Sequence, residues 1–342
     1  MTLLSALVGD AEIEALLADE AQIAAMLAFE RALADASAEA GWVAAEAAAD
    51  IGIAIDGYVP DWGNLRDGIA RDGVVVPALV SQLRARVSAP HRAALHRGAT
   101  SQDVIDTALM LQLHKVTAVL EARLRSILQR LDQVWATDGH RALMAHTRMQ
   151  VALPFTVAAK LATWADPLRR HLAALDAARG DLLAVQLGGP VGDRSSFDGF
   201  GDAIASGVAD RLGLADALPW HAARDRVVAF GSLMALISGG LGKIGADVAL
   251  MAQNEVAAVR LTGGGGSSAM AHKSNPVNAE VLVSLARYNA GLAGTLNQAL
   301  VHENERSGAA WTLEWLTLPA MAVAAGASLR LGLALLQQLH FD

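Results

Sequence analysis

Residues 104–134 read VIDTALMLQLHKVTAVLEARLRSILQRLDQV. Val104, Ile105, Leu109, Leu113, Val116, Leu120, Leu124, Ile127, Leu131 and Val134 return every three or four residues. That spacing draws one apolar stripe along about eight turns of α-helix. A helix this long needs partners of the same kind to cover its stripe, and the rest of the chain supplies them.

Alanine and leucine dominate and β-branched clusters are few, which favours helix throughout. Asp10 is placed to cap a short helix through Ile13, Leu16 and Leu17. Asp19 is placed to cap a second, with Ile23, Met26, Leu27, Glu30 and Leu33 in register and Gly41 as a stop. Residues 49–72 carry Gly52, Gly57, Pro60, Gly63 and Gly68 and read as irregular. Val74 to Val76 could form a strand, but Pro77 follows at once and sets a helix start. That helix takes Leu79, Val80, Leu83 and Val87 and stops near Pro90. Pro154 is read as opening a helix through Val157, Leu161, Trp164, Leu168 and Leu172. Residues 225–260 and 311–339 give two more long helices, and Pro276 opens another. Five long helices with apolar faces make an all-α bundle. The expected division is an N-terminal helical domain over 1–95 and a central bundle over 96–342. Residues 230–258 are apolar on more than one face, so association into an oligomer is expected.

The chain has a formal net charge of -8 and no basic runs, which argues against a nucleic-acid surface. It has no cysteine, hence neither a disulfide framework nor thiolate chemistry. The ten histidines never fall into a His-Glu-x-x-His or comparable spacing, so no metal site is expected. The start lacks a basic segment followed by an apolar core, and no run of about 18 uninterrupted apolar residues occurs. A cytoplasmic protein with no membrane contact is the expectation.

Chemistry gathers elsewhere. Residues 263–280 read GGGGSSAMAHKSNPVNAE. A glycine run alone is a plain linker. Here it leads into Ser267, Ser268, His272, Lys273 and Asn275, in a chain whose only other lysines are Lys115, Lys160 and Lys243. A mobile glycine hinge carrying a hydroxyl, a cation and an amide has the makings of an active-site lid. No strand pattern precedes it and the phosphate-loop spacing is absent. His96-Arg-Gly-Ala-Thr-Ser-Gln-Asp103 precedes the long helix and reads as its N-cap, through Thr100 or Ser101. A helix N-terminus with hydroxyls is also a natural carboxylate site.

These segments resemble the fumarase/aspartase superfamily. SSAMAHKSNP is similar to its signature loop G-S-S-x-M-P-x-K-x-N-P, with Ala271 in place of the first proline. His96 to Asp103 resembles its first region, H-x-G-x-T-S-x-D. His146-Thr-Arg-Met-Gln150 resembles its second, G-R-T-H-x-Q, with Arg148 where the histidine belongs. The segments 185–192 and 302–315 are similar to stretches of the branch that cycloisomerises carboxylated muconates.

The resemblance implies an all-helical homotetramer whose active sites each draw on three subunits, acting on a small polycarboxylate without a cofactor. The superfamily's C-terminal domain is expected to be reduced or absent. The resemblance makes Ser267 the base, Lys273 and Asn275 the groups that bind and stabilise substrate, and adds Glu280 to the catalytic set. Thr100, Ser101, Gln102, His96, Thr147 and Gln150 are carried over as substrate contacts, with Arg306 beside them. Arginine does not titrate near neutrality but clamps a carboxylate with two parallel hydrogen bonds, so Arg148 is expected to bind rather than move a proton. Alternatives are an adenylosuccinate- or argininosuccinate-type lyase of this fold, a non-catalytic structural protein on the same scaffold, and a plain helical oligomerisation module.

Overall fold

The structure is a computed structural model that describes residues 3–266, 269–270 and 273–342. Twelve α-helices and two small antiparallel ribbons occur among these residues. The N-terminal part comprises α1 (Ser5–Val8), α2 (Ala11–Leu16), α3 (Asp19–Glu39), α4 (Ala45–Asp56), α5 (Trp62–Asp72) and α6 (Val76–Arg86). Next come α7 (Ser101–Asp138), the hairpin β1 (Ala142–Thr147) and β2 (Gln150–Thr156), α8 (Val157–Asp181) and α9 (Gly201–Leu212). The chain ends with α10 (Asp225–Met251), β3 (Val259–Leu261), α11 (Val277–Asn297), α12 (Gly308–Gln338) and β4 (Leu339–Phe341).

The expected all-α bundle is present. Helix α7 packs against α8 and α12, while α10 packs against α8, α11 and α12. All ten stripe residues of α7 except Leu109 are buried. Thr100 caps it with a reciprocal capping box, its backbone N–H donating to Asp103 Oδ2 at 2.9 Å. Asp10 caps α2 by accepting from Ile13 N at 3.1 Å. Helices α3 and α2 lean on α7, and α9 packs on α3.

Several local readings are corrected. Residues 45–56 and 62–72 are regular helices. Gly68 lies inside α5 because a Cβ there would meet Ala78 Cβ at 2.5 Å; glycine serves close packing rather than a break. Pro154 does not open a helix. It sits in β2 opposite Met144, in a ribbon with no third strand, where its missing N–H costs little. Helix α3 is preceded by Ala18 at its cap, not Asp19. Helix α10 stops at Met251, and residues 259–261 instead pair with 339–341 at the end of α12.

Helices α10 and α12 are long and apolar enough to cross a bilayer by length and composition. About 61% and 67% of their most apolar windows are buried within this chain, against each other and against α11, as core helices of the bundle. Glycines let α10 and α11 approach: a Cβ at Gly245 would lie 2.5 Å from the Ala279 carbonyl and 2.9 Å from Leu282 Cβ. This contact seats the first turn of α11, where Glu280 sits. The Gly245→Ala protein is therefore expected to lose about 1–3 kcal/mol of stability, read from the urea midpoint. An unchanged midpoint would show that the two helices stand further apart than this.

Candidate active site

Helix α7 has 38 residues, which at 1.5 Å per residue spans about 57 Å. The expected site residues divide between its two ends. Thr100, Ser101, Gln102, His96 and Arg306 gather at the N-terminal end. Thr147, Arg148 and Gln150 lie on the hairpin that follows its C-terminal end. Lys273, Asn275 and Glu280 belong to that far end as well. Gly263 abuts Gln338 of α12, Arg130 of α7 donates to Leu336 O at 3.0 Å, and Arg141 donates to Phe341 O at 3.1 Å. One chain thus divides the expected site residues into two groups and does not bring them together.

At the N-terminal end, Asp103 is the organising group. It is fully buried and accepts from Gly188 N at 2.8 Å, Gly189 N at 3.0 Å and Gln186 Nε2 at 3.2 Å, with His221 Nε2 at 3.0 Å. Thr107 Oγ1 bonds both the N–H and the carbonyl of Gln186 at 3.0 Å. The glycine-rich loop 185–192 is thereby pinned along the first turns of α7. Gly189 has φ +73, and a Cβ there would strike Ser196 Oγ, so this position requires glycine. Arg306 docks across the same helix end. It donates from Nε to Gln102 Oε1 at 2.8 Å and from Nη2 to Pro190 O at 3.2 Å, with Thr100 Oγ1 at 3.5 Å.

Gln102, expected at the substrate, is corrected. Its side chain is fully buried, and Nε2 donates to Asp106 Oδ2 at 3.1 Å and His221 O at 2.9 Å. His96, with φ 59, points Nδ1 at Glu30 Oε1, 2.6 Å away, and its side chain is only 15% exposed. Burial pushes the His96 imidazole down, but the charge and hydrogen bond of Glu30, with Asp103 behind, more than reverse this and hold it above its ordinary value.

Beneath this lies a buried ionic cluster that the sequence reading missed. Arg224 is wedged between Asp106, at 2.6 and 3.1 Å, and Glu314, at 2.8 and 2.5 Å. Trp311 Nε1 adds a bond to Asp106 Oδ1 at 2.9 Å. The available signal was Asp106 itself, a carboxylate interrupting an apolar run on a core helix, which must be paired. The stretch 302–315 supplies that pairing through Glu314 and Trp311.

At the far end, Thr147 pairs with Gln150 and the two-residue turn between them is Arg148-Met149, both at positive φ. Arg148 is exposed and lines a cavity of about 450 Å³ with His146, Lys160, Asp247 and Gln253, roofed by the hairpin and floored by the end of α10. Gly265 and Asn275 form a two-bond antiparallel bridge, at 2.9 and 2.8 Å, that closes the stem of the glycine loop. A Cβ at Gly265 would lie 2.5 Å from Val277, and one at Gly264 would strike Ser274 Oγ. The glycines therefore let the two stems touch. Pro276 precedes α11, and Lys273 and Glu280 are exposed on either side of it. Ser267, Ser268 and His272 lie outside the described residues. No cluster of three or more metal-ligating side chains occurs among the described residues.

A sequence profile of the lyase family matches residues 13–290. The chain belongs to this lyase family, within the fumarase/aspartase superfamily. The 3-carboxy-cis,cis-muconate cycloisomerase of Pseudomonas aeruginosa is 38% identical over 343 residues, covering 97% of this chain and 74% of the relative. The enzyme of the same name from Acinetobacter baylyi is 36% identical, covering 90% of this chain and 70% of its own. The crystal structure of 3-carboxy-cis,cis-muconate lactonizing enzyme from Pseudomonas putida superposes with a TM-score of 0.91 at 35% identity, over 99% of this chain and 77% of that one. This lyase-family chain thus spans about three quarters of the relatives it matches.

The His96–Glu30 pair gives the lyase-family chain a pH signature. A raised imidazole pKa stabilises the fold fully below about 6.5, and that contribution is lost as pH climbs through the raised value. Unfolding free energy is expected to fall between pH 6 and pH 9, and to fall less steeply in His96→Gln. Parallel profiles for the two proteins would remove the pair from the account.

Proposed function

We propose that this chain converts 3-carboxy-cis,cis-muconate to 4-carboxymuconolactone. The observation that carries the reading is the 36–38% identity to cycloisomerases of that name across at least 90% of the chain. Arg148, at the tip of the hairpin, supports it: a tricarboxylate needs one more cationic contact than fumarate, and arginine supplies it as a fork.

In this reading a substrate carboxylate oxygen adds to an alkene carbon and forms the ring C–O bond. The π pair moves to the neighbouring carbon and into its own carboxylate, and the Ser267 hydroxyl delivers a proton to that carbon. Solvent reprotonates the serine, so one proton is taken up for the carboxylate converted to ester. The aci-carboxylate is the costly species, and Lys273 and Asn275 are assigned to stabilise it, with Glu280 beside them. Thr100, Ser101 and Arg306 form one carboxylate anchor, and Arg148, flanked by Thr147 and Gln150, forms another. No step calls on a cofactor.

The two ends of α7 stand too far apart to serve one substrate, so neighbouring copies must bring the N-terminal end of one against the far end of another. A homotetramer with sites drawn from three copies satisfies this. Leu236 on α10, Tyr288 on α11 and Leu316 on α12 are each more than half exposed, apolar surface that association would cover. Light scattering at micromolar concentration should give four times the chain mass; a monomer mass would remove the composite site.

Ultraviolet absorbance should show loss of 3-carboxymuconate, with fumarate and adenylosuccinate untouched. Ser267→Ala should keep the fold and lose about three orders of magnitude in kcat, whereas a dead Ser268→Ala would move the base by one residue. Arg148→Lys keeps the charge and loses the fork. It should raise KM more than it lowers kcat, by about 1–3 kcal/mol in kcat/KM. An unaltered KM would make Arg148 a bystander and return the reading to a lyase of unassigned substrate.

A further inference from the structure

A buried polar path ends at Arg306. On α12, Glu314 holds Arg224; Arg224 holds Asp106 of α7; Asp106 accepts from Gln102 Nε2; and Gln102 Oε1 accepts from Arg306 Nε. Glu314, Arg224, Asp106 and Gln102 are all buried, each at 1% exposure or less. The amide orientation is forced. Both neighbours of Nε2, the Asp106 carboxylate at 3.1 Å and the His221 carbonyl at 2.9 Å, are pure acceptors, so the NH₂ must face them and the oxygen must face Arg306. A flip would set oxygen against two acceptors and NH₂ against a guanidinium. Gln102 therefore presents a fixed acceptor to Arg306.

Arg306 is itself exposed, on a long side chain with many rotamers to lose. Three contacts on Nε and Nη2 fix the plane of its guanidinium, while among the described residues Nη1 engages no acceptor. It stands over the capped N-terminus of α7, beside the Thr100 hydroxyl. We infer that Gln102 is a positioning residue: the buried path Glu314–Arg224–Asp106–Gln102 aims the Arg306 guanidinium so that its free Nη1 side meets a substrate carboxylate. This rests on the proposed function for the identity of that substrate and goes beyond it in giving Gln102 an indirect role.

The test is calorimetric binding of butane-1,2,4-tricarboxylate, the saturated and unreactive skeleton of 3-carboxymuconate. The proteins are the wild type, Arg306→Gln, Gln102→Met and the double variant, with Tm measured alongside. Each single change should weaken binding about tenfold. The double variant should bind no more weakly than Arg306→Gln alone, because Gln102 acts only through Arg306. A double variant about a hundredfold weaker than wild type would overturn the inference, as would Gln102→Met binding like wild type. Should Gln102→Met fail to fold, Arg306→Lys decides. Lysine keeps the charge but has no Nε to dock on Gln102, so it must bind as weakly as Arg306→Gln, and wild-type affinity would sink the idea. Tricarboxylate binding without turnover of 3-carboxymuconate would fault the proposed function and leave this path standing. A wild type that binds no tricarboxylate overturns the carboxylate role of Arg306.

Discussion

The fold hangs on one buried guanidinium. Arg224 lies at the entrance of α10 and is gripped by Asp106 of α7 and Glu314 of α12, so a single side chain ties three of the five bundle helices. Burial alone would disfavour its charge, and the two carboxylates more than offset this and raise its pKa. Removing one carboxylate would strand charge in the interior at a cost on the order of 3–5 kcal/mol. Forked hydrogen bonds join these helices in one register, with α12's first turn beside the start of α7.

From that register the N-terminal partial site follows. Asp106 and Gln102 are one helical turn apart on α7, so the ionic cluster and the amide face the same way. Asp103, on the adjoining face, recruits loop 185–192 through two backbone N–H groups. Loop, helix cap and Arg306 are therefore built as one piece.

Much of this was legible. The stripe from Val104 to Val134 declares α7 because burial of a helix face imposes a period that no other structure shares. Thr100 with Asp103 declares its start, because unsatisfied N–H groups select those side chains. The superfamily motifs declared the family. Legibility failed where a residue type serves two ends. Glycines at 52 and 68 read as breaks but create room, for Arg31 and Ala78 respectively. Pro154 read as a helix opener but lies in a ribbon. The turn Arg148-Met149 carries no glycine or asparagine to announce its positive φ, so the hairpin stayed hidden. Gln102 looked like a substrate contact because sequence shows a polar residue in a motif and does not show which way it faces.

Helix α7 is also a ruler. Its two ends carry the two groups of expected site residues, and their separation and relative rotation are set by the number of residues between them. One residue more or fewer would lengthen it by about 1.5 Å and turn one end by about 100° against the other. A substitution along α7 is felt on one face by local packing, whereas an insertion or deletion displaces everything beyond it at once. The composition of α7 is thus a local matter, while its length is felt at both ends of the bundle.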